Sequence, residues 1–192
     1  MRLLEVIGAA LLITISLAVA ASVGQAASSG PMVSIGLTSE DEGDLVHTAV
    51  GWRWEYDAGE RADSITEGFG VRLNWVVEPH AAILSDDRDG VEFQILPMVQ
   101  VTPRTWADSA VVPYLEAGVG LIYIDVTGFD MGSQILFSDN IGVRLDFGRN
   151  AESNKWSLGY RFRHISHAGI WASSNSGMNT HWFTLSYQLN GG

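Results

Sequence analysis

The sequence predicts an all-β fold, an eight-stranded antiparallel transmembrane β-barrel preceded by a signal peptide. Three observations predict it. Apolar and polar residues alternate with a period of two through almost all of the chain after the first 30 residues, the spacing of a strand rather than a helix. The alternating segments number eight, an even count of roughly ten-residue runs. The polar face carries Gly, Arg, Glu, Asp and Asn, a charged and glycine-rich set unsuited to a solvent face, while Trp, Phe, Leu and Val stud the other. A water-soluble sheet buries its apolar face. A membrane barrel inverts this and turns that face to lipid.

The strands read in order as 32–38, 45–56, 67–77, 91–102, 111–123, 134–147, 154–165 and 180–190. In 45–56, Val46, Val50, Trp52, Trp54 and Tyr56 oppose His47, Gly51, Arg53 and Glu55. In 67–77, Phe69, Val71, Leu73, Trp75 and Val77 oppose Gly68, Gly70, Arg72 and Asn74. Val91, Phe93, Ile95, Val99 and Val101 oppose Glu92, Gln94 and Gln100 in the next run. Val111, Leu115, Val119 and Leu121 oppose Tyr114, Glu116, Gly118 and Gly120 in the one after it. Ile141, Val143, Leu145 and Phe147 then oppose Asn140, Gly142, Arg144 and Asp146. The last strand sets Phe183, Leu185, Tyr187 and Leu189 against Trp182, Thr184, Ser186 and Gln188.

A closed barrel leaves no unpaired edge in lipid. Its narrow interior would receive Glu116, Arg144, Asp146, Arg161 and Arg163, where ion pairing satisfies them, and the inward glycines make room for these long side chains. The competing arrangement is a secreted lipocalin-like barrel with the faces exchanged. It would pack charges into a cavity meant for an apolar ligand and set rows of Trp and Phe in water.

Residues 1–26, MRLLEVIGAALLITISLAVAASVGQA, place one Arg before a long apolar run and end on small residues, the pattern of a signal peptide cleaved after Ala26. An uncleaved anchor is the alternative. Residues 27–192 are then one outer-membrane β-barrel domain of a Gram-negative cell. No later stretch is long and apolar enough for a spanning helix. The chain has no cysteine, so disulfides, thiol chemistry and cysteine zinc sites are excluded. Its net charge of −11, from 22 acidic and 11 basic residues, argues against nucleic acid as a partner. His47 and His80 are scattered in sequence, and no spacing supports a metal; no cofactor is expected.

The segment 154–165 carries the informative break. Trp156, Leu158, Tyr160 and Phe162 face lipid, and the same parity continues into His164 and Ser166. With the N-terminus in the periplasm, the seventh strand ends at the cell surface, so both side chains would lie at the rim of the outer leaflet. A His–Ser pair there can hydrolyse an ester in a lipid that stays in the membrane, His164 acting as base towards Ser166. Backbone N–H groups of His167, Ala168 and Gly169 are candidate oxyanion donors. The bland reading is a surface histidine beside a strand-end serine. His167 points the other way and would tune or close the site. His181 shares a face with Phe183 and reads as an interfacial polar residue.

The run Phe162-Arg163-His164-Ile165-Ser166-His167-Ala168-Gly169-Ile170, followed by Asn175-Ser176-Gly177, resembles the active-site strand and loop of the lipid A 3-O-deacylases of the PagL family. Gly142–Phe147, Trp156–Arg161 and Tyr114–Gly118 are similar to it as well. The likeness covers most of the mature chain and is most specific across 111–179. It implies a serine esterase that removes the 3-O-linked acyl chain of lipid A, without a required metal, with lipopolysaccharide as the membrane partner; a homodimer is compatible with it. The family's serine and histidine match Ser166 and His164, and Asn175 belongs to the supporting loop.

Three departures stand out. His167 replaces the asparagine that usually follows the serine. After allowing one extra loop residue, Asn179 stands where the family has a glutamate; it can hold the imidazole tautomer but brings no charge, which predicts a weakened rather than absent esterase. The chain ends without an aromatic residue, leaving Tyr187 and Leu189 to serve assembly. A non-enzymatic barrel with a structural or surface-contact role is the rival reading.

Overall fold

A computed structural model of the chain describes residues 26–38, 44–107, 109–127, 133–148, 155–167 and 177–190. Eight strands follow one another around a closed antiparallel barrel: β1 (Ser28–Thr38), β2 (Leu45–Asp57), β3 (Val71–Asp86), β4 (Gly90–Pro103), β5 (Val111–Val126), β6 (Ile135–Phe147), β7 (Lys155–Ser166) and β8 (Met178–Asn190). β8 pairs back onto β1, with Leu185 opposite Val33, and the ring closes without a free edge. The expected signal peptide lies outside the described residues, apart from Ala26.

The two faces fall as the alternation dictates. Trp52 is 37 % exposed and Leu158 52 %, on an outer surface that also presents Val50, Phe93, Leu115 and Ile141, whereas the neighbouring Arg53 is 1 % exposed. Space on the inner face is tight. A Cβ at Gly142 would stand 2.6 Å from Cγ of Arg161, so the glycine admits the guanidinium stem.

The third strand differs from its expected limits of 67–77. Residues Gly59–Glu67 form a short helix, α1, entered through Gly59 at φ +80° with its N–H donating to Asp57 Oδ1 at 3.1 Å. A turn through Gly70 at φ +68° ends it, and Phe69 sits in that turn, highly exposed, rather than in a strand. The period-two pattern of Phe69, Val71 and Leu73 crosses a glycine whose left-handed backbone turns the chain before the strand begins. At its other end β3 runs on to Asp86 through Glu78-Pro79-His80, a sequence with the composition of a turn. Pro79 fits because the β2–β3 ladder skips there, between Gly51 opposite His80 and Trp54 opposite Val77. β1 also begins earlier than expected, at Ser28, and β5 ends later, at Val126.

Inside, the charges form one connected array. Arg53 donates to Glu55 at 2.8 Å, to Glu116 at 2.6 Å and to Glu78. Arg161 donates to Glu78 at 2.8 Å and to Glu116 at 3.1 Å, so each carboxylate bridges two guanidinium groups. Arg144 joins Glu55 at 2.9 Å and Asp146 at 2.6 Å. Nearer the β7–β8 loop, Glu92 accepts from Arg163 at 2.5 Å and meets both His47 and His80 at 3.0 Å. The two histidines, scattered in sequence, therefore converge on one carboxylate. Among the described residues no cluster of His, Asp and Glu is arranged to hold a metal ion.

Above this array the interior turns apolar. Leu45, Leu84, Ile122, Ile124, Val126, Leu136, Ile165 and Met178 form a buried cluster at the end of the barrel where β7 finishes and β8 begins. The alternation hides it, because here both faces are apolar.

Candidate functional site

Strand register builds the site. On the outer face, His164 of β7 lies opposite Asp139 of β6 on one side and Asn179 of β8 on the other. Three polar side chains thus form a row across three adjacent strands of an otherwise apolar surface. Directly opposed residues in an antiparallel pair hold their Cβ atoms about 5 Å apart, close enough for side chains to meet. Ile165, between His164 and Ser166, is fully buried in the apolar interior cluster, which fixes β7 from behind.

Asn179 Oδ1 stands 2.7 Å from His164 Nδ1. An amide oxygen only accepts, so Nδ1 carries the proton and Nε2 presents its lone pair. That is the tautomer a general base requires. Gly177 passes over the other edge of the ring: a Cβ there would lie 2.5 Å from Cε1 and 3.0 Å from Nε2 of His164. The imidazole is held between a hydrogen bond and a bare backbone.

Ser166 follows on the same face of β7, one side-chain repeat beyond His164, with Phe137 opposite it on β6. It is 9 % exposed and forms no hydrogen bond with His164 among the described residues. His167, just past the end of β7, is fully buried. Ala168, Gly169 and Asn175, expected near the oxyanion, lie outside the described residues.

Sequence reasoning overlooked Asp139 and Gly177 as site residues. Asp139 carries a signal of its own, a carboxylate in the lipid-facing parity of the run from Ile135 to Phe147, where every other odd position is apolar. The role of Gly177 has no sequence signal beyond its place in Asn175-Ser176-Gly177. Asp139 and His164 both line a concavity of about 520 Å³ in the outer surface, together with Asn140 and apolar groups such as Pro97, Val99, Val119 and Phe162. One row further along β8, His181 lies opposite Phe162, and its Nδ1 is 2.8 Å from the Tyr160 hydroxyl, which makes it part of an aromatic cluster beside the site.

The family model described as lipid A 3-O-deacylase (PagL) matches residues 47–188. Among solved structures, the crystal structure of the outer membrane enzyme PagL is similar at 21 % identity with a TM-score of 0.59, over 83 % of this chain and 99 % of that one. Neisserial surface protein A is similar at 16 % identity with a TM-score of 0.51, over 84 % of this chain and 93 % of that one. No curated protein matches the sequence significantly.

Proposed function

This chain belongs to the lipid A 3-O-deacylase (PagL) family, and on that premise we propose that it is a serine esterase removing the 3-O-linked acyl chain of lipid A in the outer leaflet. The barrel is a multi-pass protein of the outer membrane. The observation that carries the reading is the 2.7 Å contact between His164 Nδ1 and Asn179 Oδ1 on the lipid-facing surface, one strand repeat from Ser166.

In the proposed reaction His164 Nε2 takes the Ser166 hydroxyl proton as Oγ bonds to the ester carbonyl carbon. The tetrahedral oxyanion collapses, the ester C–O bond breaks, and the imidazolium returns its proton to the leaving alkoxide of the sugar. A water molecule then repeats the sequence on the acyl-serine and releases the fatty acid. Backbone N–H groups at His167, Ala168 and Gly169, supported by Asn175, are proposed to stabilise the oxyanion. The apolar concavity beside His164 suits the acyl chain, and the surface position lets the substrate react without leaving the bilayer.

The test is direct. Purified protein in detergent, incubated with lipopolysaccharide, releases a 3-hydroxy fatty acid, and mass spectrometry finds lipid A lighter by that acyl group. Intact lipid A after prolonged incubation would favour the non-enzymatic reading. Asn179→Glu, which adds the charge an amide lacks, raises the rate about tenfold; an unchanged rate would count against matching Asn179 to the family's acid.

Gly177→Ala provides a geometric check. Its methyl group would push the imidazole off Asn179, and a displacement of about 1 Å in a reacting group can lower the rate by about a hundredfold. Retained heat-modifiable gel mobility shows that the barrel is folded. A fully active Gly177→Ala protein would mean that His164 does not react from this position.

A further inference from the structure

We propose that Asp139 is a positioning residue for His164, the anionic partner that stabilises its imidazolium from β6 while Asn179 orients the ring from β8. This rests on the esterase reading and deepens it. A general base flanked only by an amide lacks a compensating charge at the moment it becomes cationic. The row across the sheet supplies one. Asp139 is the register partner of His164 on the side away from Asn179, faces the same way, and lines the same concavity.

The surroundings favour this pairing. A carboxylate on an apolar outer surface is unfavourable unless a cation offsets it. Among the described residues no hydrogen bond or ion pair engages Asp139, and the residue directly opposite it on β7 is His164. The inward arginines are turned to the other face: Arg163, next to His164 in sequence, is committed to Glu92 at 2.5 Å. Tyr160 and His181 on the same outer surface are bonded to each other at 2.8 Å, and Tyr123 and Asp125 lie further along β5 towards its end. Asp139 is thus the group able to balance a charged His164.

Two measurements test the assignment, each with heat-modifiable mobility to confirm folding. The first needs no turnover. Histidine NMR of the intact barrel in micelles, at a fixed pH of about 6, reads the fraction of His164 carrying two protons. Removing the charge from the directly opposed residue should lower the ratio of charged to neutral His164 about tenfold in Asp139→Asn; an unchanged ratio would overturn the proposal. The second is a kinetic cycle with Asn179→Glu. Asp139→Asn is expected to lower kcat about tenfold with KM nearly unchanged, and Asn179→Glu to restore kcat in that background, a larger gain than it gives the parent protein. A loss confined to KM, or effects of the two substitutions that simply add, would instead make Asp139 a substrate-contact residue and overturn the proposal. If the parent protein releases no fatty acid, the esterase reading fails separately and the NMR measurement still decides the pairing.

Discussion

Ser166→Ala in the purified barrel is expected to reduce fatty-acid release from lipopolysaccharide by about 10,000-fold or more, to background. Removing the hydroxyl removes the atom that bonds to the carbonyl, so the binding and oxyanion contributions that survive have no nucleophile to assist. The substitution is small, lies at the end of β7 and deletes no hydrogen bond to His164 among the described residues. The fold should therefore survive, with heat-modifiable mobility unchanged. Release that persists at more than a tenth of the parent rate would eliminate Ser166 as nucleophile and with it the covalent mechanism.

The second large effect concerns stability. Glu78 is completely buried and bridges Arg53 and Arg161. Glu78→Ala would leave two guanidinium groups facing each other, with Glu116 as their remaining shared partner. Removing one member of a buried ion pair typically destabilises by about 3–5 kcal/mol, because the partner stays desolvated and uncompensated. Urea unfolding in lipid vesicles measures the difference. Glu78→Gln keeps the volume and one acceptor oxygen and should lose less. A loss below about 1 kcal/mol for Glu78→Ala would show that the array is redundant at this position.

The sequence makes most of this fold readable, because alternation in a barrel reports lipid against interior without any tertiary information. Arg53, Glu116, Arg144, Asp146, Arg161 and Arg163 all face inward, as parity requires. The failures share one physical cause: tertiary context overriding local composition. Glu78-Pro79-His80 has the composition of a turn, yet Glu78 is held by arginines from β2 and β7, and Pro79 occupies a gap in the ladder. Gly68-Phe69-Gly70 extends a period-two pattern, but a left-handed backbone at Gly70 stops it. His47 and His80 are separated along the chain and joined only through Glu92.

The candidate site divides in the same way. Parity and position single out His164 and Ser166 as candidates, the resemblance to the deacylase family gives them roles, and it also points to Asn179, which lies against His164 Nδ1. Asp139 required the register between β6 and β7, which no single strand encodes. Gly177 required coordinates, since a glycine that grazes an imidazole reads no differently from one in an ordinary loop.

The filled interior has a consequence for the cell as a whole. Guanidinium and carboxylate groups span the cylinder from one wall to the other, and a void beside Trp182 and Arg163 measures only about 10 Å³, room for roughly one water molecule. A barrel packed in this way is expected to pass no steady current, which recording from the purified protein in a planar bilayer would check. Many copies in one membrane would then add nothing to its leak of ions.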